Sequence, residues 1–158
     1  MTTVSRRTFL KGTVAGSVLA VAAGAGLLAP RRVLADSWPA AAFSEKTAQG
    51  ALKALFGTDN IPLSTDIHVR APIQAENGAV VPIEVSTTLP NVESISLVVD
   101  KNPFPLVCHA RLLNGAQGFF MARMKMGQTS IVRVVVKSNG ALHEATQSIK
   151  VTVGGCGG

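Results

Sequence analysis

This sequence is poor in the residues that build catalytic and metal centres. It holds two cysteines, Cys108 and Cys156, and three histidines, His68, His109 and His143. The histidines lack the short spacing of metal ligands and no cysteine cluster accompanies them, so neither a metal site nor a cofactor is expected. They fall on separate predicted strands or turns, where each is expected at the surface, which disfavours a Cys-His catalytic pair. The Cys, Trp, Cys spacing of an antibody domain is missing. So is a run of roughly 20 strongly apolar residues: the one long apolar stretch, about Thr13 to Ala29, is interrupted by Gly16, Gly24 and Gly26. A stable membrane anchor is therefore not expected.

Basic charge is also scarce outside the N-terminus. The chain has 15 Lys and Arg against nine Asp and Glu, a net charge of +6. Five of those bases, Arg6, Arg7, Lys11, Arg31 and Arg32, precede residue 36, where no acid occurs, so ten bases face nine acids in the remainder and its net charge is +1. Scattered cations such as Arg70, Arg111 and Lys150 form no basic stripe, which excludes nucleic-acid binding.

What the N-terminus does have is an address. Ser5-Arg6-Arg7-Thr8-Phe9-Leu10-Lys11, a modest Ala- and Gly-rich run and Pro30-Arg31-Arg32-Val33-Leu34-Ala35 make a twin-arginine export signal over residues 1–35. Cleavage is expected after Ala35, delivering the mature chain to the periplasm with Asp36 first. The 123 residues that remain of 158 suit one ordinary domain. The twin-arginine route carries folded proteins. A chain without a cofactor motif has another reason to fold first, namely a partner subunit that lacks a signal of its own.

Residues 36–153 read as that domain. Asp36 to Phe43, with Trp38 and Pro39, is predicted to be an extended leader. Ser44 is placed as the cap of a helix over about 44–56, in which Ala48, Leu52 and Leu55 recur at helical spacing and Gly57 marks the stop. Beyond Asp66 the apolar period becomes two. It runs through Ile67 to Ala71, Val81 to Thr87, Ile95 to Val99, Pro105 to Arg111, Phe120 to Met126, Val132 to Val136 and Ile149 to Val153. Turn signals separate these runs, among them Glu76-Asn77-Gly78, Pro90-Asn91, Asn114-Gly115, Met126-Gly127-Gln128 and Ser138-Asn139-Gly140, the last a hairpin marker. About seven short strands with one-sided alternation predict a mainly β chain, an antiparallel immunoglobulin-like sandwich with a short N-terminal helix. Phe119 and Met121 oppose Phe120 and Met124 across one strand, so that either one side meets a partner, or both sides are buried within the one chain or covered by the helix.

After Val153 every residue but one is glycine. Glycine has no side chain to pack and visits both signs of φ, so Gly154, Gly155, Gly157 and Gly158 are read as a flexible arm, residues 154–158, that carries Cys156. Three residues beyond Val153 span at most about 10–11 Å, enough to enter a narrow channel. The thiolate is the reactive form, and an ordinary cysteine near pKa ~8.5 is a few per cent ionised at neutral pH. Lys150 is the nearest cation in sequence and is not placed for a tight ion pair. An accessible, unactivated, mobile thiol suits a carrier acted on by other enzymes, and suits a nucleophilic enzyme poorly. Two alternatives stay open. One is a tail thiol that only forms a disulfide, to Cys108 or to a second copy, in an interaction or chaperone module. The other is a ubiquitin-like carrier using its terminal Gly157-Gly158 carboxylate, whose activation by ATP is foreign to an exported protein. Cys108, between Val107 and His109 on a predicted strand, reads as a small buried hydrophobe.

The tail Val151-Thr152-Val153-Gly154-Gly155-Cys156-Gly157-Gly158, the twin-arginine leader and the strand-rich middle together resemble the SoxY family, sulfur-carrier subunits of the periplasmic Sox system of thiosulfate oxidation. Asn102-Pro103-Phe104-Pro105 and Arg123-Met124-Lys125-Met126-Gly127-Gln128-Thr129-Ser130 look like family segments as well. The resemblance implies a heterodimer with a SoxZ-like subunit and covalent attachment of sulfur species to Cys156. It also implies transient contacts with a SoxXA-like cytochrome, a SoxB-like sulfate hydrolase and a sulfane dehydrogenase. Cys108 is a second thiol that the carrier scheme does not need.

Overall fold

The computed structural model describes residues 38–152. The predicted signal over 1–35, Val153 and the arm over 154–158 lie outside the described residues.

Two short helices open the domain: α1, Ala40–Ser44, and α2, Ala48–Phe56. The single helix expected over 44–56 is thus displaced, because Ser44 ends a helix instead of starting one. Its hydroxyl donates to the carbonyl of Ala40 at 2.8 Å, a bond back into its own helix. The cap of α2 is Thr47, whose Oγ1 accepts from the Gly50 amide at 3.0 Å, covering one of the helix's unpaired N–H groups. The leader predicted as extended contains α1. At the far end Gly57 stops α2 as expected, with a left-handed φ of 79° and its amide donating to the carbonyl of Lys53.

Eight strands follow: β1 Ile67–Arg70, β2 Gln74–Ala75, β3 Val81–Thr87, β4 Val92–Val99, β5 Leu106–Arg111, β6 Phe119–Met124, β7 Ser130–Ser138 and β8 Ala141–Val151. They form one sheet in the order β1-β3-β6 and another in the order β2-β8-β7-β4-β5. Residues alternate across each strand. Ile67, Val81, Ile83, Val85 and Met124 from the first sheet therefore meet Ile95, Leu97, Val99, Val132, Val134, Val136 and Ile149 from the second in one buried core. This is an immunoglobulin-like sandwich, as the periodicity implies.

Two departures concern strands. β2 is only two residues long and pairs in parallel with β8, Gln74 beside Lys150 and Ala75 beside Val151, so the sheets are not wholly antiparallel. A two-residue strand has no alternation to read. The last strand begins at Ala141, well before the predicted Ile149, because the Asn139-Gly140 turn joins β7 to β8 directly, with Ser138 opposite Ala141. Both turn residues have positive φ, 48° and 77°, the geometry of a type I′ hairpin.

The helices cover the outer face of the five-stranded sheet. Ala42, Ala48, Ala51 and Leu52 pack with Ile61, Val98, Leu106 and Val135 in a second core. Lys46 adds a contact over the Phe104 ring, 3.3 Å from its centroid. On the same outer face Arg133 bridges Asp100 and the buried Glu144, at 2.8 Å to each. The bond to Asp100, foremost, raises the guanidinium pKa further above its ordinary range. The backbone of Glu144 in turn holds the connection after α2, donating to Pro62 O and accepting from Ser64 N at 2.9 Å each. The three-stranded sheet has no helix of the described residues over it. Phe119 and Met121 are 50% and 63% exposed there, so among the described residues that face is neither buried within the chain nor covered by the helix.

Candidate functional site

The tail thiol Cys156 and its neighbours Gly154, Gly155, Gly157 and Gly158 lie outside the described residues. What the structure does place is the root from which that tail leaves, and it is held on both edges. On one edge β8 runs beside β2: Lys150 N donates to Ile73 O at 2.9 Å, and Thr152 N donates to Ala75 O at 3.1 Å. The Thr152 hydroxyl also donates to Ala75 O at 3.1 Å. The Val151 amide points to the opposite edge. There β7 has ended, its last pairing being Ser130 with Ile149, and the N–H would lack a ladder partner. The Thr129 hydroxyl takes its place, accepting from Val151 N at 3.0 Å.

A third element closes over the root. Met126 N donates to Gly78 O at 2.7 Å, and the approach is close enough that a Cβ on Gly78 would run into the Met126 carbonyl oxygen and Val151. Here glycine is required by the neighbouring backbone. Thr129 and Gly78 carry no reactive chemistry, so a search for nucleophiles and ligands passes over them; their traces in the sequence are the Glu76-Asn77-Gly78 turn signal and the place of Thr129 next to last in the segment 123–130.

The other sulfur and imidazole groups sit apart from one another. Cys108 has a free thiol, half-buried on β5 opposite Leu97, packed against the main core. Burial pushes its pKa up, which keeps it protonated and unreactive at neutral pH and agrees with its reading as a small hydrophobe. In the native protein iodoacetamide is expected to label the peptide containing Cys156 well before that containing Cys108; equal rates would contradict this placement.

His68 is exposed on β1 and His143 is half-buried on β8. His109 departs from the surface position expected of it. It faces the helices, shares a 2.8 Å hydrogen bond between its Nδ1 and the Oγ of Ser96, and meets the Phe56 ring edge-on with centroids 6.2 Å apart. Ser96 is its cross-strand partner, a pairing that β5 alone does not reveal. Burial lowers the His109 pKa, so protonation favours the unfolded chain. The stability it contributes is full above about pH 6.5 and falls as pH drops through the lower folded value. His109→Gln should therefore flatten the loss of melting temperature between about pH 7 and 5; parallel curves for the two proteins would contradict it. Among the described residues no three His, Cys, Asp or Glu converge as metal ligands.

The sequence profile described as "Sulfur oxidation protein SoxY" matches residues 52–156. The chain belongs to the SoxY family. That match takes in the second half of α2 from Leu52, the whole sandwich, the held root and Cys156 itself. A solved SoxY, the sulfur carrier protein from Chlorobium limicola f thiosulfatophilum, shares 38% identity over 65% of this chain and 94% of its own, with a TM-score of 0.59. The family is one of carrier proteins, and it sets this chain among the proteins of sulfur oxidation. Superoxide reductase (neelaredoxin) E23A from Ignicoccus hospitalis has the same sandwich, at 18% identity over 68% of this chain and 90% of its own and a TM-score of 0.50, a likeness of fold alone. Among curated proteins none matches the sequence.

Proposed function

We propose that this SoxY protein is a covalent carrier of sulfur intermediates in thiosulfate oxidation, bearing them on Cys156 at the end of a swinging arm, residues 154–158. The observation that carries the reading is the family match reaching Cys156, four residues beyond Thr152, where the described strand is held on both edges. Four residues reach about 13–14 Å when extended. The domain stays outside a partner's active site while the thiol enters it.

Thiosulfate joins the cysteine in a two-electron oxidation: the Sγ–H bond breaks, an S–S bond forms to the outer sulfur, a proton leaves and two electrons pass to a SoxXA-like cytochrome. Water then attacks the terminal sulfonate on a SoxB-like hydrolase, releasing sulfate and two protons and leaving a persulfide anion on Cys156. A sulfane dehydrogenase takes the remaining sulfur onward. The arm contributes delivery, and the chemistry belongs to the partners. The twin-arginine leader supports a periplasmic site of action, with cleavage after Ala35, and supports export in the folded state together with a SoxZ-like subunit.

Thiosulfate radiolabelled in its outer sulfur tests this. Incubated with the periplasmic fraction of thiosulfate-grown cells, the protein should retain label that dithiothreitol releases. Absence of label, or label that withstands reductant, would overturn the reading.

A further inference from the structure

The three-stranded sheet has an open edge at β6, which pairs with β3 alone. Backbone groups alternate in direction along an antiparallel strand. Gly118 O accepts from Thr87 N at 2.9 Å and Met126 N donates to Gly78 O at 2.7 Å, so the even-numbered residues turn theirs towards β3 and the chain leading into it. Phe119, Met121 and Arg123 turn theirs to the open side. The chain itself closes both ends of that side: Phe119 N donates to Gln117 O at 2.7 Å, and Lys125 O accepts from Asn102 Nδ2 at 2.7 Å. Between these stops, Phe119 O and the N–H and C=O groups of Met121 and Arg123 have no hydrogen-bond partner among the described residues. The open stretch is centred on Met121.

The side chains of these three residues stand exposed on the outer face of the sheet, and among the described residues Arg123 forms no ion pair. Sheets commonly guard an edge with lysine, proline or a bulge. β6 contains neither residue, and its register with β3 is unbroken.

We propose that this edge is an interface for a second copy of the same chain, β6 lying antiparallel to β6 about a twofold axis through Met121. In that register the two Met121 residues exchange both backbone bonds, and the Arg123 N–H of each copy meets the Phe119 O of the other. Residues directly opposite one another share a face. Each Phe119 ring therefore lies beside the Arg123 guanidinium of the other copy, a cation–π pair made once on each side of the axis. This self-match selects a second copy as the occupant, because Phe119, Met121 and Arg123 complement their own reversed order, as an isologous contact requires. The two three-stranded sheets become one. The pairing uses no sulfur chemistry, so it stands or falls apart from the carrier reading.

Sedimentation velocity of the mature protein, in reductant to remove disulfide-linked dimers, should show a monomer–dimer equilibrium. Met121→Pro takes away an N–H that β3 does not use, a position where an edge strand tolerates proline. It should raise the dimer Kd about ten- to a hundredfold, the worth of two backbone hydrogen bonds, and leave the far-UV circular dichroism unchanged. Should Met121→Pro fail to fold, Met121→Lys, which sets two ammonium groups opposite each other across the axis, decides by the same measurement. In a chain carrying Cys108→Ala and Cys156→Ser, Met121→Cys should be joined into a dimer by the short thiol cross-linker bismaleimidoethane. Ile131→Cys, exposed on β7, should stay monomeric in the same background. A wild-type protein that is monomeric up to about 1 mM would overturn the proposal, whatever else binds the edge. So would a dimer that the Met121 variants leave intact, or equal cross-linking at the two cysteine positions.

Discussion

Cys156→Ser is expected to abolish sulfur loading. A carrier bond to sulfur must form at a nucleophile that reaches the thiolate state near neutral pH, and a serine hydroxyl does not. Nor would an oxygen ester of thiosulfate give the reductant-labile S–S link that the next step requires. The loss should be complete, not partial, because no neighbouring group can take over. Cys108 is half-buried against the core and its thiol is held protonated by burial. Folding should be untouched, since the substitution lies beyond the last described strand pairings, at Lys150 and Val151 with β2. The measurement is loading by the periplasmic fraction, followed by mass, with Cys108→Ala as the control that should load normally. Residual loading in Cys156→Ser would move the attachment site elsewhere.

Leu97→Ala is expected to produce the largest loss of stability. Leu97 is fully buried in the middle of β4, opposite Cys108 on β5 and Val134 on β7. Its side chain crosses the gap between the sheets, where strands paired on both sides leave little room to collapse into a cavity. Truncation of a buried leucine costs about 2–5 kcal/mol, against a total of about 5–15 kcal/mol for a domain. The urea midpoint should fall accordingly with the slope unchanged. Ile131, on β7 but 43% exposed, gives the contrast: its alanine variant should stay within about 0.5 kcal/mol of wild type. Similar losses at both positions would contradict the placement of the core between the sheets.

Much of the fold was legible because its strands are buried on one face. Val81, Ile83 and Val85 announce β3, and Val132, Val134 and Val136 announce β7, by period alone. The Asn139-Gly140 turn is legible from backbone preference. Illegible were the features that depend on tertiary partners. The break between α1 and α2 follows from Thr47 outcompeting Ser44 as a cap, which both hydroxyls allow in sequence. β2 exists because β8 passes beside it. His109 is half-buried because Ser96 and Phe56 come to it from β4 and α2. For the site, the tail thiol is conspicuous as the one reactive side chain in a run of glycine. The groups around its root are the Thr129 hydroxyl on Val151 N, the Asn102 side chain on Lys125 O and the Gly78 carbonyl on Met126 N, each bonded across more than 20 residues of sequence, which no local pattern encodes.

Whether Cys156 carries sulfur is read most directly from the intact mass of the mature protein from the periplasm of thiosulfate-grown cells, with and without reductant. The expected result is a chain beginning at Asp36 with additions of sulfur or thiosulfonate that map to Cys156 and vanish on reduction. A bare thiol under these conditions, or only a disulfide-linked dimer, would contradict it.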